Sequence, residues 1–247
     1  MMEQLVASEK MASVGQMAAG IAHEINTPLG IILGYAQLMM DDFDKDSEAY
    51  QNLEVIERQT QASRKIVADL LKYSRQSGSA REAVNLNEIL TDAVAITEHS
   101  LNLSHIKVHL HCVDELPPVV GDPEKLRQVV VNLINNAHHA MEGQESGALH
   151  LSTRHDGKQH KVIAEVCDNG HGIDEQIKAK IFDPFFTTKP VGKGTGLGLS
   201  VSYGIVQEHG GIIEVESPVI GPDQSPTRGT LFRLVLPVIQ EPTVIQE

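Results

Sequence analysis

The sequence predicts a helical hairpin that pairs with a second copy into a four-helix bundle, followed by an α+β sandwich with a mixed sheet. Three observations carry this reading. Apolar residues recur at three- and four-residue steps through residues 1–76. Beyond a short polar stretch, the pattern switches to alternating runs interleaved with helical ones. Aromatic residues are only 4% and Trp is absent, which suits aliphatic, helix-rich packing over an aromatic-cored β sandwich.

Met11, Val14, Ala18, Ile21, Ile25, Ile32 and Met39 mark the first helix, with one longer step around Pro28. The polar run from Asp41 to Ser47 makes the turn. Leu53, Ile56, Thr60, Ser63, Val67, Leu70 and Ser74 give the second helix a heptad spacing. Two helices alone have a thin core, and apolar stripes this long call for a long partner, so a homodimer is expected. Residues 77–84 read as a linker and hinge, 85–237 as a second domain and 238–247 as a polar tail.

In the second domain, Asn85 to Glu88 opens a helix that runs to about Ser100. Residues 106–113 alternate like a strand. Asp122 and Pro123 supply an N-cap and a first-turn proline for a helix from about Glu124 to Met141. Residues 148–154 and 161–167 form one strand pair, and 211–217 and 229–236 another. Between these pairs, Thr195 to His209 reads as a helix stopped by Gly210 and Gly211.

A net charge of −13 argues against nucleic acid and against an anionic membrane surface as partners. No run of the sequence has the length of a membrane span, and the expected location is the cytoplasm. Residues 1–10 look like the end of a helix continuing into an upstream sensor domain outside this sequence. Cys112 and Cys167 each lie in a strand-like run and read as reduced core thiols. Twelve His include His109 and His111 on one strand face and the adjacent pair His138 and His139, but no spacing suits a zinc site.

The chemistry concentrates in three places. Asn132 and Asn136 are one helical turn apart and share a face, with Asn135 beside them. Their amide oxygens suit Mg²⁺, which keeps several waters and needs few protein ligands, although Asn132 could equally cap a neighbouring turn. Asp168 ends an apolar run, where its carboxylate can accept from the exocyclic amine of adenine. Gly170 and Gly172 permit a close backbone approach there, a plain turn being the alternative. Gly192, Gly194, Gly196 and Gly198, with Thr195 and Leu197 among them, run into a helix start, whose free N–H groups suit phosphate oxygens. Lys189 and Lys193 add positive charge, and the alternative is a merely flexible loop. The spacing fits neither a Walker A loop nor a dinucleotide fingerprint. Phe182, Phe185 and Phe186 lie between the glycine elements and are expected to pack when a lid closes over nucleotide.

Here the chain resembles the two-component sensor histidine kinases. His23-Glu24-Ile25-Asn26-Thr27-Pro28-Leu29 is similar to the family's H box, and Asn132 to Ala137 to its N box. Asp168 to Gly172 resembles the first G box, Phe182 to Phe186 the F box, and Gly194 to Leu199 the second G box. All five occur in the family's order. The resemblance implies a dimerisation and phosphotransfer bundle followed by an ATP-binding domain of the Bergerat type, with helices on one face of a mixed sheet, as in gyrase, Hsp90 and MutL.

It also implies that His23 accepts the phosphoryl group, that Glu24 is the general base and that Thr27 helps orient a water for dephosphorylating the partner. Asn136 would ligate Mg²⁺, Asn132 assist near the phosphates of ATP, and Asp168 contact adenine. Many members carry Lys or Arg where this chain has His139, so phosphate contact there is expected to be weaker and pH-dependent. Pro28 removes the amide that would bond the carbonyl of Glu24, loosening the helix beside His23. The phosphoryl group would pass to an Asp of a separate response-regulator receiver domain. A conformational ATPase of the same fold would lack the H box, and a decayed scaffold would not need Asn136, Asp168, Gly196 and Gly198 together.

Overall fold

A computed structural model describes residues 24–74, 81–189, 194–220 and 226–239. Met11, Val14, Ala18, Ile21, His23, Gly192, Lys193, the polar linker at 75–80 and the tail from 240 lie outside the described residues, as do the side chains of Leu70 and Ser74. The chain divides into two compact units, Met1–Gly78 with Phe185–Leu197, and Ser79–Pro184 with Gly198–Glu247.

The first unit contains a helical hairpin. Residues 24–40 form the described part of α1, and Glu48–Ser74 form α2. The polar turn falls where the sequence places it. Ser47 ends it, its hydroxyl accepting from the backbone N–H of Tyr50 at 3.1 Å, an N-cap bond to the third helical residue. The expected apolar stripe splits in two. Leu53, Thr60 and Val67, seven residues apart, are buried along with Ala36 of α1. Thr60 is tolerated there because its hydroxyl donates to the Ile56 carbonyl at 2.7 Å. Ile25, Ile32, Met39 and Ile56 of the same pattern are instead exposed.

The second unit is an α+β sandwich. Its strands are β1 (Glu82–Val84), β2 (Lys107–His111), β3 (Val119–Gly121), β4 (Ala148–Asp156), β5 (Lys161–Asp168), β6 (Ile212–Glu216), β7 (Val219–Ile220), β8 (Pro226–Thr227) and β9 (Thr230–Pro237). Its helices are α3 (Leu86–Leu103), α4 (Pro123–Ala140), the short α5 (Glu175–Lys178) and α6 (Gly198–Glu208). The main sheet has the order β2-β4-β5-β9-β6, with β2 parallel to β4 and the other pairs antiparallel. Helices α3, α4 and α6 cover one face of it.

Alternation sets which side chains meet the helices. On β5, Val162, Ala164, Val166 and Asp168 share the inward face, and all are buried. Glu165 faces the other way, where Arg233 binds it at 3.0 Å and Glu216 at 2.9 Å, a solvated ion network across β5, β9 and β6. His109 and His150 stack on this outer face with ring centroids 4.6 Å apart.

The caps follow the expectations. Asn85 Oδ1 accepts from Asn87 N at 2.9 Å to start α3, and Asp122 Oδ1 accepts from Glu124 N and Lys125 N to start α4. Gly210, with φ of +68°, ends α6, and Gly211 N bonds the Val206 carbonyl at 2.9 Å.

Three expectations are corrected. The linker does not extend to residue 84, because Glu82–Val84 pair antiparallel with Val119–Gly121. Helix α6 begins at Gly198 and not at Thr195, because Gly196 has a φ of +66°, which no α-helix accommodates. Cys112 lies just past the end of β2, and both cysteines are half-buried rather than in the core. Phe185–Leu197, within the stretch expected as the second domain, group with the first unit.

Candidate functional site

Asp168 closes β5 on the inward face and is buried. Its Oδ1 accepts from Gly170 N at 2.8 Å. Burial raises its carboxyl from the ordinary value to about 6, against the lowering effect of backbone hydrogen bonds from Gly170 and Thr230 and of the nearby His171. Ionised Asp168 thus faces backbone donors with His171 nearby, a setting that suits a neutral ligand donor such as an aromatic amine.

At the glycines of this turn the surroundings leave no room for a side chain. A Cβ on Gly170 would fall 2.7 Å from both the Cβ and the carbonyl oxygen of Ala140, and 2.8 Å from Asp168 Oδ1. One on Gly229 would meet the Asp168 carbonyl oxygen at 2.2 Å. Gly172 has a φ of +79°, and Ser217 fastens the turn by accepting from Ile173 N and donating to the Gly229 carbonyl at 2.8 and 2.7 Å. Gly170→Ala therefore displaces Asp168 or Ala140. The expected result is a lower thermal midpoint together with weaker nucleotide binding, read by thermal melts with and without ATP.

Asn132, Asn136 and Ala140 succeed one another at four-residue steps and form one line along α4. At its C-terminal end, Ala140 abuts Gly170, and its carbonyl accepts from His171 N at 3.1 Å. At the other end, a Cβ on Gly198 would lie 2.4 Å from Asn132 Oδ1, and Asn132 Nδ2 donates to Ser202 at 2.9 Å. The line spans ~12 Å between the Asp168 turn and the start of α6. A purine at one end and a phosphate chain at the other fit this layout. Asn135 points to solvent. His139 Nδ1 lies 2.8 Å from Glu142 Oε1, and His138 Nε2 2.7 Å from the Ser104 hydroxyl.

The remaining loop residues belong to the first unit. Phe185 has a φ of +65° and is exposed, and a Cβ on Gly196 would sit 2.3 Å from the Phe185 carbonyl carbon. The two ends of the segment thus touch through backbone alone, which requires glycine at 196. A Cβ on Gly194 would meet Thr187 Oγ1 at 2.8 Å and Lys189 Cδ at 2.9 Å. Leu197 is buried, and its N–H donates to Thr195 Oγ1 at 3.3 Å. Glu24 and Thr27 lie exposed on α1.

The structure therefore gathers Asn132, Asn136, Asp168, Gly170, Gly172 and Gly198 in one unit, with His139 one turn beyond Asn136. Lys189 and Gly194 to Leu197 fall in the other unit with Glu24 and Thr27. Sequence reasoning misses Thr230, Gly229, Ser217 and Ser202. The first two follow from register, since Asp168 pairs with Thr230. Ser217 and Ser202 carry no local signal.

Two family models match the chain. Residues 13–79 match the His Kinase A (phospho-acceptor) domain, and residues 121–240 the histidine kinase-, DNA gyrase B-, and HSP90-like ATPase. The catalytic domain of the histidine kinase ThkA, in a nucleotide-free form, is 32% identical with a TM-score of 0.55, covering 65% of this chain and 99% of that domain. The chain belongs to the sensor histidine kinases.

Other members resemble this kinase over nearly its whole length. The sensor histidine kinase ZraS of Escherichia coli (strain K12) is 34% identical over 96% of this chain, and sporulation kinase E of Bacillus subtilis (strain 168) is 33% identical over 96%. The kinase spans 48% and 30% of those two proteins, so less than half of either. ThkA in complex with the response regulator protein TrrA is 28% identical with a TM-score of 0.65, covering 96% of this chain and 65% of that one. No described helix of the kinase is long and apolar enough to cross a membrane.

Proposed function

We propose that this chain autophosphorylates His23 from ATP and passes the phosphoryl group to an Asp of a response-regulator receiver domain. The observation that carries the reading is the line Asn132–Asn136–Ala140, which joins the Asp168 turn to the glycine start of α6 in a chain that also carries the H-box helix. Asp168 accepts from the adenine amine. The backbone of Gly170 and Gly172 leaves space for the ring. The N–H groups of Gly194 to Gly198, with Lys189 and Lys193, meet the phosphates.

Asn136 would hold Mg²⁺, which would offset the charge of the phosphate oxygens, with Asn132 assisting near the phosphates. His139 is a secondary phosphate contact, available when it leaves Glu142. At the H box, Glu24 holds the Nδ1 proton of His23, so that Nε2 presents a lone pair. Nε2 forms a bond to the γ-phosphorus as the bond from phosphorus to the β-bridging oxygen breaks, and ADP leaves with that electron pair. Pro28 removes the amide that would bond the Glu24 carbonyl, next to the H-box histidine in sequence.

The exposed stripe Ile25, Ile32, Met39 and Ile56 supports a homodimer that completes a four-helix bundle. Thr27, in the same H box as His23, orients a water for hydrolysis of the phosphorylated regulator. An upstream sensor domain and a cytoplasmic location fit the family. The test is to label the chain with γ-labelled ATP and chase with an isolated receiver domain. Label moving to the receiver supports the reading, and label retained on the chain contradicts the transfer step. In the reverse assay, Thr27→Ala is expected to slow loss of label from the receiver by ~10-fold or more while leaving autophosphorylation unchanged.

A further inference from the structure

Ser202 is a polar side chain that α6 places against Asn132, and it is buried, with 1% exposure. It lies one helical turn after Gly198, so both present the same face of α6 to α4. Asn132 is gripped twice there. Its Nδ2 donates to the Ser202 hydroxyl at 2.9 Å. Its Oδ1 occupies the space that a Cβ on Gly198 would fill, at 2.4 Å.

With one Nδ2 hydrogen committed to Ser202, the second lies in the same amide plane as the remaining donor. We propose that Ser202 is a positioning residue. It holds the Asn132 amide so that its free N–H donates toward the phosphate side of the nucleotide, and it ties that donor to the first turn of α6. This rests on the role of Asn132 proposed above, and it adds a residue outside the five sequence motifs.

The test is binding of Mg²⁺–ATP and of adenosine to the full chain, with thermal midpoints measured in parallel. The variants are Asn132→Ala, Ser202→Ala, the double variant, and the isosteric pair Ser202→Thr and Ser202→Val. Asn132→Ala is expected to weaken ATP about tenfold and adenosine not at all. Ser202→Ala is expected to weaken ATP three- to tenfold, and the double variant to match Asn132→Ala alone. Thr restores the hydroxyl and should retain affinity better than Val at similar volume, which a purely packing role would not produce. An additive double variant, equal behaviour of Thr and Val, or no effect of Ser202→Ala while Asn132→Ala weakens ATP overturns the proposal alone. If Asn132→Ala leaves ATP binding unchanged, the role of Asn132 falls and the proposal falls with it.

Discussion

His23→Ala is expected to abolish autophosphorylation while leaving ATP affinity within twofold of the parent. The two quantities separate because the residues that would hold ATP and the H box come from different stretches of chain. Asn132, Asn136, Asp168 and Gly198 group in the sheet-containing unit, while Glu24 and Thr27 lie on the hairpin helix α1. Removing the imidazole takes away the proposed nucleophile and none of the residues proposed to hold ATP. Glu24→Gln keeps the shape and loses the base, and a fall of ~10²–10⁴-fold in the autophosphorylation rate is expected. The check is a single-turnover labelling time course beside calorimetric ATP binding. Loss of binding in His23→Ala would contradict this division of labour.

Asp168→Asn is expected to weaken ATP by ~10–150-fold, the worth of a hydrogen bond to a charged group. Asn is no substitute here. Gly170 and Thr230 both donate backbone hydrogen bonds to the carboxylate, and the NH₂ of an Asn can accept neither. The same buried carboxylate gives a pH signature. Its value is raised to about 6, above that of an unfolded chain, so protonated Asp168 favours the empty fold. That contribution is full below the ordinary carboxylate value and is lost as pH rises through about 6. An adenine amine favours the ionised form, so ATP affinity should fall as pH drops through 6, with proton release on binding in that window. Calorimetry in buffers of different ionisation enthalpy reads both effects, and Asp168→Asn should flatten them.

Most of the fold was legible because its signals are local. Asp122-Pro123 marks the start of α4, Gly210 the end of α6, and alternation marks β4, β5 and β9. The short pair β1 and β3 was not legible, since each strand has three residues and is specified by its partner rather than by period. The start of α6 was misjudged for a tertiary reason. Thr195 to Leu197 could extend the helix by pattern, but Gly196 presses on the Phe185 backbone in a conformation that no helix contains. The heptads of α2 marked two faces as one, because spacing alone does not tell a seam within the hairpin from one awaiting a partner.

In the candidate site, the residues proposed from the sequence are those tied to a motif. Asp168, Asn136 and the glycines announce themselves by type and spacing. The residues that hold them do not. Ser217 reaches the Gly172 turn from more than forty residues away, and Ser202 reaches Asn132 across seventy. Hydroxyls in apolar runs look like ordinary helix and strand residues until the packing is known.

The most direct test of the account is to incubate the chain with γ-labelled ATP and Mg²⁺, then follow the acid and alkali stability of the label and the peptide that carries it. The account predicts acid-labile, alkali-stable label on the peptide containing His23, as expected for a phosphorus–nitrogen bond. Acid-stable label, or label on any other peptide, would contradict it.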